Sequence, residues 1–161
     1  MSELKKISHE AIPRATQKAE RYRLLNQSWA TESICLDILE IDPGNQPVLV
    51  MLLLAITDQF DGETGELARR AREVLGRLTD PYQRAYYAGI IAERLAHAQL
   101  GSGALHAEAM AASTLRSAMA SFEEAERLRQ PGNDGASIGT QEPGQMVTLR
   151  QHDTNGNSAT I

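Results

Sequence analysis

A helical run of apolar residues that ends in Leu-Glu-Ile-Asp-Pro-Gly-Asn (residues 39–45) can continue in few ways. Proline lacks the amide proton that a helix interior needs, and glycine after a helix favours chain reversal. The same punctuation returns in Arg-Leu-Thr-Asp-Pro-Tyr (77–82) and in Arg-Leu-Arg-Gln-Pro-Gly-Asn (127–133). Three helix exits in one style predict a single helical supersecondary unit used three times.

The segments between these exits carry helical periodicity. Ile7, Ala11, Ala15, Ala19 and Tyr22 recur at three- and four-residue spacing, so a first helix is expected from residue 8 or 13 to 25. Pro13 is tolerated only in its first turn. Ser28 is the expected N-cap of a second helix over 29–41, with Ile34, Ile38 and Ile41 in phase. The third, over 46–59, is apolar almost all round, as a helix covered on two sides must be. The fourth spans 66–78 and aligns Leu67, Ala71, Val74 and Leu78. Asp80 followed by Pro81 is a capping residue before a first-turn proline and opens a fifth helix to residue 100. Gly-Ser-Gly at 101–103 breaks it, and a sixth fills 105–129. No stretch alternates as a strand does. The expectation is an all-α fold of six helices in three antiparallel pairs over residues 1–133.

Composition agrees with helix over sheet. Aromatic residues make up 4% of the 161-residue chain, while alanine and leucine abound. One cysteine, Cys35, rules out an intramolecular disulfide and suits a reducing compartment. The first residues show no apolar signal region, and the longest apolar run, residues 48–56, falls far short of the roughly 20 residues a membrane span needs. A soluble, cytoplasmic protein with no membrane partner is expected. The net charge of −5 conceals segregation: residues 1–25 hold six basic and three acidic side chains, and 26–66 hold eight acidic and no basic ones. Either the acidic middle packs beside basic neighbours, or it presents an acidic face to a basic partner.

Ala19, Tyr22, Thr31, Cys35, Ile38 and Pro43 stand at relative spacings 0, 3, 12, 16, 19 and 24. Ala118, Phe122 and Ala125 stand at 0, 4 and 7, with Gly89 and Ala92 supplying small positions one helix earlier. This pattern resembles the tetratricopeptide repeat, a helical hairpin of about 34 residues with small residues where its helices touch. The middle pair keeps the spacing at Ala68, Arg72 and Leu75 but not the chemistry, and Leu53 replaces a small residue. Gly89 and Ala118 lie 29 residues apart where the repeat expects 12, so the last two helices must overrun the usual hairpin. The resemblance covers residues 15–131 and implies a short right-handed solenoid of three hairpins; another all-α bundle is the alternative.

The chain offers little to catalysis. His9, His97, His106 and His152 lack paired ligand spacing, although His97 and His106 flank the Gly-Ser-Gly break. Cys35 falls mid-face on the second helix, a place for a small buried hydrophobe. Asp-Gly-Glu-Thr-Gly-Glu (61–66) has too few glycines and no following lysine for a phosphate loop. Arg-Arg-Ala-Arg at 69–72 is the one dense basic cluster, too narrow on an acidic chain for nucleic acid. No enzyme chemistry, cofactor or metal is expected.

A binding surface remains. In tetratricopeptide proteins the first helices of successive pairs line a groove for a protein segment. The resemblance carries that role to Glu20 and Arg23, to Val50, Met51 and Leu54, and to Tyr86, Tyr87, Ile90 and Arg94. Aromatic and arginine side chains over an apolar floor are the types that anchor interfaces, although several of these could be core instead. The carboxylate clamp of some co-chaperones in this family is missing, because the matching positions hold Thr16, Glu20, Met51, Gln83 and Tyr87. The implied function is a non-enzymatic adaptor for a protein or peptide. The alternatives are a self-association module, suggested by the apolar third helix, and a regulatory subunit or chaperone. After Asn133 the chain mixes Gly, Ser, Thr, Asn and Gln without period, and 134–161 are expected to be disordered.

Overall fold

The computed structural model describes residues 8–61 and 64–129; the expected disorder of 134–161 and the third Pro-Gly exit lie outside them. Among the described residues the chain is all-helical, with six α-helices and no strand. A 3₁₀ turn, His9–Ala11, leads into α1 (Ile12–Leu24). There follow α2 (Ser28–Ile41), α3 (Gln46–Thr57), α4 (Gly65–Gly76), α5 (Pro81–Gly101) and α6 (Ala107–Leu128).

The helix starts follow the capping chemistry, with one correction. Asn45 caps α3 by accepting a hydrogen bond from the Val48 amide at 3.2 Å, and Asp80 caps α5 by accepting one from Tyr82 at 3.2 Å. Ser28, expected to cap α2, is its first helical residue instead. Asn26 takes the left-handed conformation (φ 57°) that ends α1, and the Gln27 carbonyl accepts the first bond of α2 from Thr31. The α5–α6 connection is longer than expected for a similar reason. Gly103 and His106 are both left-handed, so Leu105 stays outside α6 and is 84% exposed.

Each helix packs mainly against its neighbours in sequence, α5 on α6 most extensively. Helix α3 is the centre. From Val48 to Thr57 every side chain is buried except the half-buried Val50. Helices α2 and α4 cover it, with further contacts from α1 and α5. Its apolar circumference is thus used within the chain. Fully burying an aliphatic side chain is worth about 1.5–3 kcal/mol, so this helix carries a large share of the driving force.

Small residues mark the close approaches. Ala19 is fully buried, and its carbonyl accepts a 3.2 Å hydrogen bond from the Thr31 hydroxyl on α2. Ala68 and Ala71 on α4, and Ala111, Ala118 and Ala125 on α6, are all buried. On α5, Gly89 lies flat against the Phe122 ring, where an added Cβ would stand 2.5 Å from a ring carbon. The two residues singled out by spacing therefore touch.

The first two Pro-containing exits are joined. Arg77 Nη2 donates to the Pro43 carbonyl at 2.7 Å, and the Thr79 amide donates to Gln46 Oε1 at 2.9 Å. These bonds tie the start of α3 to the α4–α5 connection.

Gly89→Ala is expected to destabilise the fold by about 1–2 kcal/mol, overpacking exceeding the gain in helix propensity. Because the three atoms nearest the added methyl all belong to Phe122, a denaturation cycle with Phe122→Ala should recover most of that loss. Equal cost in both backgrounds would refute the contact.

Candidate functional site

The nine residues assigned to a partner surface fall into two groups. Met51 and Leu54 on α3, with Tyr87 and Ile90 on α5, are buried and belong to the core cluster. Glu20 is exposed, and Arg23, Val50, Tyr86 and Arg94 are half-buried. The half-buried set lies on α1, α3 and α5, and α3 touches both of the others.

An aromatic run organises the α5 side. Tyr82 and Tyr86, four residues apart, stack with ring centroids 6.1 Å apart. Tyr86 also meets Tyr87 edge-on at 5.2 Å and leans on Phe122 at 5.8 Å. Burial pushes the Tyr87 hydroxyl above its ordinary pKa and neighbouring Tyr86 adds to this, while the positive charge of Arg23 opposes both. Arg23 on α1 thus acts on Tyr87 of α5. Its Nε is buried with no hydrogen-bond partner among the described residues. Tyr82 was not among the expected residues, although its i, i+4 spacing to Tyr86 was visible in the sequence.

Arg94 behaves differently from Arg23. Its guanidinium donates to the Leu54 carbonyl at 3.2 Å, to Thr57 Oγ1 at 2.6 Å and to the Asp58 carboxylate. A cation on the last carbonyls of a helix satisfies acceptors that have no partner within it. Arg94 fastens α5 to the C-terminus of α3. It also borders a cleft of about 470 Å³ lined by Asp58, Phe60, Asp61 and His97.

The acidic middle is partly neutralised within the fold. Glu32 on α2 accepts from Arg70 on α4 and, at 2.6 Å, from Gln59. Burial opposes ionisation of Glu32, but the hydrogen bonds from Arg70 and Gln59 and the Arg70 charge outweigh it and hold the carboxyl below its usual range. Asp37 and Glu40, exposed on α2, form no ion pair among the described residues. Pairing of the acidic middle within the fold is thus seen at Glu32.

Cys35 is fully buried, and burial, aided by the Glu32 charge, pushes its thiol up to about 12. A thiol that does not ionise near neutrality is packing rather than a nucleophile. Among the described residues no three His, Cys, Asp or Glu side chains gather to hold a metal ion, and no helix is long and apolar enough to cross a membrane. Comparison of the chain with protein-family models, curated proteins and solved structures finds no match.

Two expectations follow. Cys35 should resist a thiol reagent at pH 9 in the folded state and react fully in denaturant; rapid native labelling would contradict its burial. The Glu32 contribution is present above its unfolded pKa of about 4.3 and is lost as pH falls through its lower folded value. Glu32→Gln should therefore cost about 1 kcal/mol near neutrality, and the loss should shrink in acid. Urea melts at two pH values check this.

Proposed function

We propose that the three helix pairs are tetratricopeptide-like hairpins stacked in a short right-handed solenoid, and that the chain is a non-enzymatic, cytoplasmic adaptor. A protein segment would lie along α1, α3 and α5, the first helices of the pairs. Contacts of α1 with α3 and of α3 with α5 support the stacking, as does Gly89 packed on Phe122. The observation that carries the binding reading is the half-buried stack of Tyr82 and Tyr86 on α5. Aromatic pairs of this kind supply rigid, amphipathic area that anchors interfaces. Arg23, half-buried on α1, belongs to the same set. Met51, Leu54, Tyr87 and Ile90, buried in the core cluster, would form the floor of this surface.

The test is recovery of partners from a lysate by tagged protein, compared with Arg23→Gln and Tyr82→Ala variants. Leu54 is unsuitable because truncating a buried leucine would unfold the site. Both variants should keep the wild-type melting temperature within a few degrees and weaken capture of any bound segment about tenfold, as loss of an interface anchor does. Identical recovery by all three proteins would remove the binding role from this surface.

A further inference from the structure

The first two helices carry opposite charges on their outward faces, and apolar side chains are exposed on the same two helices. On α1, Arg14, Lys18 and Arg21 follow at four- and three-residue spacing and are all exposed. Neither Arg14 nor Arg21 has an ionic partner among the described residues, and Lys18 lies 5.8 Å from the Tyr22 ring. On α2, Asp37 and Glu40 are exposed and form no ion pair among the described residues. Trp29 and Leu36 stand seven residues apart on the same side of α2, 71% and 44% exposed, and Leu24 and Leu25 at the end of α1 are 80% and 60% exposed. The short connection through Asn26 and Gln27 places these leucines next to the first turn of α2.

We propose that this face binds a second copy of the chain, α1 of one copy lying against α2 of the other. The occupant follows from charge complementarity. A surface with one basic and one acidic helix face is self-complementary about a two-fold axis: each basic face meets the partner's acidic face. Two such juxtapositions form at once, and the apolar residues of both copies close over one another. An exposed tryptophan beside three exposed leucines is costly alone and is of the composition found at interface centres. Arg23 lies on the other side of α1, so this inference is independent of the groove reading.

The sole tryptophan makes the test direct. Sedimentation of the full chain should show a monomer–dimer equilibrium in the micromolar range that weakens with salt, and Trp29 emission should shift to the blue as dimer forms. A variant with Arg14→Glu, Lys18→Glu and Arg21→Glu, and another with Asp37→Lys and Glu40→Lys, should each fail to self-associate while retaining helical circular dichroism. Mixed together, they should form a heterodimer, because each then meets its opposite charge. Wild type that stays monomeric with unchanged Trp29 emission overturns the proposal and leaves the face to a different protein. So does a dimer that both charge variants retain, or a mixture that does not associate.

Discussion

The burial of α3 on nearly all sides is the constraint from which the rest of this fold follows. A helix with apolar residues around its whole circumference cannot lie on a surface; it needs neighbours on every side, and α2 and α4 with flanking α1 and α5 provide them. Such enclosure raises a second demand. The unpaired amides and carbonyls at the ends of an enclosed helix lose access to water, so protein groups must meet them. Asn45 takes an amide at one end, and Arg94 takes the Leu54 carbonyl near the other.

Charge is arranged around the same centre. A stretch of eight acidic and no basic residues brackets α3, and the fold answers it from later helices, through Arg70 to Glu32 and Arg94 to Asp58. These partly buried pairs join α2 to α4 and α5 to the end of α3. Where no later helix reaches, as at Asp37 and Glu40, the acidic surface stays open. The contrast between the engaged and unengaged carboxylates separates internal architecture from surface available to another molecule.

Much of the fold was legible in the sequence because its determinants are local. Asp80-Pro81 announces a helix start through the aspartate side chain, and the Ala118–Phe122–Ala125 spacing with Gly89 encodes a close approach that only small residues permit. Ser28 was misread because the left-handed Asn26 moved the cap one residue earlier, and backbone conformation of that kind leaves little trace in composition. The candidate surface was less legible. Periodicity names the residues that share a face, yet Met51, Leu54, Tyr87 and Ile90 share theirs with the core, and depth has no period. The partners of Arg94 and the bonding of Pro43 to Arg77 join positions dozens of residues apart, which no local pattern carries.

The dominance of contacts between consecutive helices also sets how the molecule comes apart. Short connections let each helix find its neighbour without a long chain search, so folding should be rapid for a chain of this size. Local opening is then graded by position. Helix α1 rests mainly on α2 and can fray while the remainder stands, whereas α3 cannot expose its amides without separating α2 from α4. Amide hydrogens of α3 would exchange with solvent only at the rate of global unfolding, those of α1 far sooner, and anything that clasps the first two helices would slow the chain's most labile end.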